Sequence, residues 1–237
     1  MRNFALVPIV FIFAVGVSAQ AKAKPTPRRS PSEVPAKAVS EVLTATNNLG
    51  VDAGVVAGKT YANRELGFEV TFPDTWLIPG DDLEGFMRNK GYDLRVRIPN
   101  TDEQMKANVR RFEKNVVLLL TAYRSMPGTK GNSIIHISVE DVSDTPQIKD
   151  AVDYFDMMRS QISTMKLPAG FSVSEVQAEK LGPKQFAFLE TSSGSTRKRM
   201  YATVRGTRAL MFTISYSSAD DLAVLRRMLE EGNFSLK

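Results

Sequence analysis

Two strand-like segments joined only by a Gly-Thr pair at positions 206–207 constrain the fold of this chain more than any other feature. A two-residue connection makes a tight hairpin and so fixes which residues lie opposite each other. In this register Tyr201 pairs with Phe212 on one face, and Val204 pairs with Ala209 on the other. Because both faces carry apolar side chains, both must be covered. The hairpin therefore predicts an α+β fold, with an antiparallel sheet of about six strands and helices on both faces, an α/β/α sandwich.

The rest of residues 61–237 contains the strands that such a sheet needs. Alternation of apolar and polar residues predicts a first hairpin and four further strands. These segments are 61–63 with 66–72, then 116–124, 133–142, 171–180 and 185–191. A unit of this length can bury a stable core without disulfides, so we expect one domain.

Three helices are predicted between and after the strands. One opens near residue 100. A second begins after Asp144 or Thr145 and carries an apolar stripe. The stripe consists of Ile148, Ala151, Val152, Phe155, Ile162 and Met165. The last begins after Ser218, has Asp221 in the capping-box position and ends at Gly232.

Residues 1–19 have the organisation of a secretory signal peptide, with a positive charge at Arg2, an apolar run over 4–17 and small residues at the end. Cleavage is expected after Ala19, with Ala21 as the alternative. The apolar run is shorter than the ~20 residues that a spanning helix needs, which disfavours an uncleaved anchor. The mature protein is therefore expected to be exported, periplasmic or extracellular, and to have no transmembrane segment.

Residues 20–60 are rich in Pro, Lys and Arg and poor in large apolar residues, which predicts a flexible tether. The net charge of +5 comes from 31 Lys and Arg against 26 Asp and Glu, and six of the basic residues lie in this tether against three acidic ones. Residues 61–237 hold 24 against 23 and are almost neutral. Bulk charge therefore gives no reason to expect a nucleic-acid partner.

The composition excludes several kinds of site. The chain has no Cys, so it has no disulfide, thiolate nucleophile or zinc-thiolate site. Its single His136 shares a strand face with Ser138 and Glu140, but side chains two apart on one strand do not converge, so we expect a hydrogen-bonded sheet histidine. Residues 53–60 match a loose phosphate-loop pattern by chance, because no helix is predicted after them. No catalytic residue, cofactor or metal site is predicted.

The one surface feature that suggests binding is the basic hairpin that contains Arg197, Arg199, Arg205 and Arg208. Arg205 and Arg208 lie opposite each other in the two-residue-turn register, and like charges so placed destabilise a sheet. An anionic ligand, an acidic partner or a nearby carboxylate would relieve that cost. The alternative is a solvated hairpin tip, which is the commoner fate of exposed charge runs.

The opening hairpin is similar to that of a known family. Residues 61–63 read Tyr-Ala-Asn, and residues 66–76 read Leu-Gly-Phe-Glu-Val-Thr-Phe-Pro-Asp-Thr-Trp. This pattern, with the order of elements as far as residue 237, resembles the PsbP-like (Mog/PsbP) superfamily. The resemblance implies a non-enzymatic binding or assembly module, as in the extrinsic subunits of the oxygen-evolving complex, and it implies no catalytic residue set.

These observations together favour an exported, non-catalytic module that binds a protein or cell-envelope partner. Two alternatives remain open. The first is a hydrolase or small-ligand enzyme whose carboxylates are brought together only by the fold. The second is an anion-binding surface protein that uses the hairpin from Arg197 to Arg208.

Overall fold

A computed structural model describes residues 49–78, 115–126, 129, 131–165, 167 and 169–236 of the chain. The predicted signal peptide, the tether up to residue 48 and the helix expected near residue 100 lie outside these residues. The strands are β1 (Val55–Ala57), β2 (Thr60–Asn63), β3 (Phe68–Thr71), β4 (Val116–Tyr123), β5 (Ile134–Asp141), β6 (Phe171–Val173), β7 (Gln177–Leu181), β8 (Lys184–Ser193), β9 (Thr196–Arg205) and β10 (Arg208–Tyr216). The helices are α1 (Ala151–Ser163) and α2 (Ala219–Glu231). No helix in the described part of the chain is long and apolar enough to cross a membrane.

The strands form two antiparallel sheets, which confirms the α+β class. The larger has seven strands in the order β4-β5-β10-β9-β8-β6, with β7 also paired to β8; the smaller has the order β1-β2-β3. The opening hairpin predicted over 61–72 lies in the smaller sheet, and the segment predicted over 171–180 is two strands of the larger one. Ser174 interrupts this segment: its backbone N–H donates to the carbonyl of Glu190, and its hydroxyl accepts from the Glu190 N–H.

The predicted register of the β9–β10 hairpin is confirmed. Tyr201 pairs with Phe212, and Val204 pairs with Ala209. Gly206 has a φ of +57°, whereas no residue other than glycine has a positive φ among the described residues. A positive φ at only the first of the two loop positions is the requirement of a type II′ turn, which glycine meets without strain.

The side chains on the two faces of the β9–β10 hairpin belong to different core clusters. Tyr201 and Phe212 pack in the cluster that contains Leu225 and Leu229 of α2. The alternate residues pack with α1, and the members from the hairpin and the helix are Met200, Ala202, Ala209, Met211, Tyr154, Phe155, Met158 and Ile162. Because successive strand residues point to opposite faces, the alternation of β9 and β10 separates the two clusters.

Aromatic side chains join the two sheets. Phe68 of β3 lies edge-on to Phe212 of β10, with ring centroids 5.6 Å apart. Phe234, beyond α2, stacks on Phe68 at 6.2 Å and meets Phe186 of β8 edge-on at 5.3 Å. Such pairs add to the free energy of area burial. The C-terminal residues are therefore part of the core.

The described chain before residue 61 also belongs to the folded unit. Val51 is 1% exposed, and β1 pairs with β2. The Tyr61 hydroxyl donates to the Ala53 carbonyl at 2.8 Å, and the Asn63 amide donates to the Asp52 carbonyl at 2.7 Å. The boundary predicted between 60 and 61 therefore lies inside a hairpin. Small and polar residues surround Val51, so their composition resembles that of a tether.

Helix α1 begins later than the sequence suggests. Asp150 is its N-cap and accepts hydrogen bonds from the N–H groups of Val152 and Asp153. Thr145 instead makes a turn, in which its N–H and its hydroxyl both donate to the Val142 carbonyl. The predicted cap at Asp144 or Thr145 is wrong, because this turn ends before the helix starts. The shift leaves Val152 38% exposed, although the predicted stripe included it.

The position of this cap can be tested by substitution. Asp150→Ala removes two cap hydrogen bonds and should lower the free energy of unfolding by about 1 kcal/mol. Asp144→Ala removes an exposed side chain outside the helix and should leave the urea midpoint nearly unchanged. Equal losses in the two variants, measured by urea denaturation, would place the cap elsewhere.

Candidate functional site

Arg205 is committed to holding the fold together. Its Nη1 donates to the carbonyl oxygens of Leu66 at 2.9 Å and Gly67 at 3.1 Å, and its Nη2 donates to that of Phe234. A Cβ at Gly67 would lie 2.7 Å from Nη1, so glycine is needed for this approach. The guanidinium ties the β2–β3 loop and the C-terminal tail to the end of β9. These contacts give Arg205 a structural role.

Arg208 is paired with a carboxylate. It lies opposite Arg205 in the hairpin, as predicted, and opposite Asp141 on its other side. Its Nη1 is 3.4 Å from Asp141 Oδ2. An anionic ligand, an acidic partner or a nearby carboxylate could relieve the repulsion between Arg205 and Arg208. The structure contains the nearby carboxylate, that of Asp141. Neither residue requires an external anion.

Arg199, at the other end of β9, is held in place on three sides. Its Nε donates to Glu190 Oε1 at 2.8 Å, and its Nη1 donates to the Tyr201 hydroxyl at 3.2 Å. The guanidinium carbon lies 4.5 Å from the centroid of the Phe188 ring, a cation–π contact. The Arg199 side chain is 17% exposed and that of Glu190 is 34% exposed. The charge is therefore fixed in one position and still reaches solvent.

A polar network extends from Arg199 to helix α2. The Tyr201 hydroxyl donates to Glu179 Oε2 at 2.6 Å, and Glu179 pairs with Arg226 of α2. On the other side, the Tyr216 hydroxyl donates to Glu190 Oε1 at 2.9 Å. The network joins β7, β8, β9, β10 and α2. Movement of Arg199 would therefore disturb several elements at once.

The protonation states of this network are fixed around neutral pH. Burial raises the pKa of Tyr201 to about 12, helped by its hydrogen bond to Glu179, and burial raises the pKa of Tyr216 to about 12. Burial also acts to raise the pKa of Glu190, but the hydrogen bonds from Arg199 and Tyr216 outweigh it and hold that pKa below its usual value. Both tyrosines therefore stay neutral donors, and Glu190 stays charged.

Arg197 lies beside this network and is exposed. It is two residues from Arg199 on β9, so both side chains are on the same face. Its cross-strand neighbours are Ser192 on β8 and Tyr216 on β10, neither of which carries charge. We call this surface the arginine face. It consists of Phe188, Glu190, Arg197, Arg199 and Tyr216.

The acidic and aromatic members of the arginine face were not predicted from the sequence. The sequence does contain the information needed to place them, in the connection between β8 and β9. Gly194 and Ser195 form a second two-residue turn, with a positive φ at the glycine, and this turn fixes the register of the two strands. Counting back from this turn places Glu190 directly opposite Arg199. The same counting from the Gly182–Pro183 turn places Glu179 opposite Phe186, on the same face of β8 as Glu190.

The α1 side of the sheet carries polar side chains, which include the half-buried His136. His136 Nδ1 lies 3.0 Å from the Thr121 hydroxyl, which confirms the expected hydrogen-bonded sheet histidine. Burial, with the charge of Lys198 as a smaller cause, lowers the pKa of His136 to about 3. Burial lowers the pKa of Lys198 to about 8. The ring is therefore neutral at physiological pH.

Glu140 is the described carboxylate with a raised pKa. It is 6% exposed and accepts a hydrogen bond of 2.7 Å from the Tyr154 hydroxyl of α1. Burial raises its pKa to about 8, although the bond from Tyr154 partly offsets that effect. The carboxyl is therefore largely protonated at neutral pH and connects α1 to β5 from within the core.

The phosphate-loop-like pattern has a structural explanation. Residues 53–60 form β1, its turn and the start of β2, so no helix follows the phosphate-loop-like sequence. Within the described ranges, no group of three or more His, Asp or Glu side chains is placed to hold a metal ion.

Comparisons with known proteins find similarity among solved structures alone. No family model and no curated protein matches the sequence. A Bacteroides thetaiotaomicron protein matches over 76% of this chain with 11% identity and a TM-score of 0.39, and this chain spans 49% of that protein. Cyanobacterial PsbP from Synechocystis matches over 78% of this chain and 98% of its own length, with 14% identity and a TM-score of 0.40. The second neighbour carries the name of the family that residues 61–76 resemble.

The different roles of the arginines predict different effects on stability. Arg205→Ala leaves the carbonyls of Leu66, Gly67 and Phe234 without their donor and should lower the free energy of unfolding by about 2–3 kcal/mol. Arg197→Ala, which removes an exposed side chain, should shift the thermal midpoint little. Calorimetry of both variants checks the difference. A thermal midpoint equal to that of the wild type for Arg205→Ala would contradict the assigned role.

The raised pKa of Glu140 predicts a specific dependence of stability on pH. Because the folded state binds this proton more tightly than the unfolded state, the contribution is fully present below pH ~4.5 and is lost as the pH rises to about 8. The slope should approach about 1.4 kcal/mol per pH unit in that window. Glu140→Gln keeps an acceptor for Tyr154 and should remove this contribution, so the difference in stability between the wild type and the variant should change across the window. Urea denaturation between pH 5 and 8 would reject this if the wild-type and variant curves ran parallel.

Proposed function

We propose that the chain is a non-catalytic binding or assembly module that contacts a protein or cell-envelope partner through the arginine face. The observation that carries the proposal is the fixed position of Arg199, held over Phe188 by Glu190 and Tyr201 while its side chain still reaches solvent. Arginine and tyrosine are the residue types enriched where binding energy concentrates in protein interfaces.

The fixed geometry is what makes this surface suitable for binding. An unrestrained arginine loses side-chain entropy when a partner immobilises it. Arg199 has already lost that freedom on folding, because Glu190 and Tyr201 hold it. A partner that contacts it therefore avoids most of this cost. Arg197, exposed beside it, extends the same surface outward.

The wider context of the proposal comes from the sequence. We infer that residues 1–19 direct export and are removed after Ala19 or Ala21, so that the mature protein is periplasmic or extracellular. We also infer an α/β/α sandwich. Alternate residues of β9 and β10 belong to two different core clusters, and α1 packs in one of these clusters while α2 packs in the other. In this arrangement the arginine face lies on the α2 side of the sheet.

An enzyme that uses paired carboxylates has less support. Glu140 is the described carboxylate whose pKa is raised towards neutrality, and it is buried against Tyr154 of α1. The half-buried carboxylate of Glu190 has a lowered pKa and is bonded to Arg199 and Tyr216. Neither group has the environment of a general acid at a cleft.

Site-specific photo-crosslinking tests the proposed surface. A photoreactive amino acid at Ser195, in the exposed turn beside Arg197, should capture a partner in cells of the native host, and the same group at Lys149 should not. Arg197→Glu should abolish the Ser195 product by reversing the charge beside Arg199. Arg64→Glu, which reverses an exposed charge elsewhere, should leave the product unchanged.

The result can contradict the proposal in two ways. Crosslinks of equal yield from Ser195 and Lys149 would show that the arginine face is not preferred. A Ser195 product that persists in the Arg197→Glu variant would show that contact near the turn does not depend on this face.

A further inference from the structure

We propose that the arginine face binds a carboxylate of its partner, presented by an acidic peptide segment, between Arg197 and Arg199. This inference rests on the proposed binding function and specifies the chemistry of the partner. It follows from the charge balance of the face and from the hydrogen-bonding capacity that its own residues leave unused.

The arginine face has one positive charge in excess. Two guanidinium groups lie on it, and Glu190 is its one carboxylate. Glu190 stands opposite Arg199 and is bonded to it, so it neutralises that residue first. Arg197 is instead opposite Ser192 and Tyr216, and it has no ion pair or hydrogen-bonded partner among the described side chains.

The two guanidinium groups are placed to share one anion. Residues two apart on a strand are separated by about 6.6 Å and point to the same face. Nε and Nη1 of Arg199 are taken by Glu190 and Tyr201, and its Nη2 bonds no other described residue. A carboxylate between the two side chains can therefore accept from Arg199 Nη2 and from Arg197, in the charge-assisted geometry that arginine favours.

The charge of the face favours a carboxylate over a phosphate group. An incoming anion meets the ionised Glu190 as well as the arginines, so each further negative charge is repelled at short range. A single carboxylate neutralises the excess charge, whereas a dianion exceeds it. The Phe188 ring lies beneath the Arg199 guanidinium and keeps that group in position for the incoming carboxylate.

An NMR titration tests this assignment on the mature chain. The probes are a blocked Glu-Gly-Glu peptide, its Gln-Gly-Gln counterpart and inorganic phosphate, each followed through the side-chain Nε–Hε signals of Arg197 and Arg199. The Glu peptide should shift both signals, and the Gln peptide should bind about fivefold more weakly or worse. Added salt should weaken the Glu peptide alone, because the contact is between exposed charges.

Matched variants make the test specific. Arg197→Gln should remove the response of Arg199 to the Glu peptide, whereas Arg64→Gln should preserve it. Equal responses to the Glu and Gln peptides, or no response to either, would overturn the carboxylate assignment. A response to inorganic phosphate as large as that to the Glu peptide would overturn the assignment to a peptide and leave a general anion site.

The failure of this inference can be told apart from failure of the proposed function. If Arg197→Glu abolishes the Ser195 crosslink but the Glu and Gln peptides behave alike, the arginine face binds a partner by other chemistry. If the peptides differ as expected but the crosslink is independent of Arg197, the carboxylate site exists and does not serve the captured partner.

Discussion

The two-residue turn between β9 and β10 is the constraint on which the rest of the structure depends. It sets Tyr201 opposite Phe212, and from there the alternation of the strands assigns each neighbouring residue to one face or the other. A slip of one residue would exchange the faces, placing Met200 or Ala202 opposite Phe212, in the position that Tyr201 holds. The positive φ of Gly206 secures this register, because another residue at that position would strain the turn.

The same register explains why four arginines of one hairpin have unlike roles. Arg205 and Arg208 lie next to the turn, where the β2–β3 loop, the C-terminal tail and β5 supply acceptors for them. Arg197 and Arg199 lie at the far end of β9, where the neighbouring strands offer one carboxylate, that of Glu190. The two ends of β9 thus have different functions, the first in stability and the second, as proposed, in binding.

Local rules predicted the hairpin register and one helix cap but not the long-range contacts. The β9–β10 register and the Ser218 cap of α2 follow from turn length and cap chemistry, and both were predicted. The role of Arg205 could not be predicted, since its acceptors at Leu66 and Phe234 are distant in sequence and meet it only after folding. The start of α1 was missed because Thr145 can cap a turn as readily as a helix.

The division between a structural and a binding end of β9 is tested most directly by hydrogen exchange at the arginine Nε–Hε groups of the free protein. The Arg199 signal should exchange slowly, since its Nε–H is bonded to Glu190, whereas that of Arg197 should exchange as in an unstructured peptide. If Arg197 exchanged as slowly as Arg199, its Nε–H would already be hydrogen-bonded within the protein, and the side chain would not be free to bind a partner. Fast exchange at Arg199 would mean that the charge is not fixed, and the account of the arginine face would then fail.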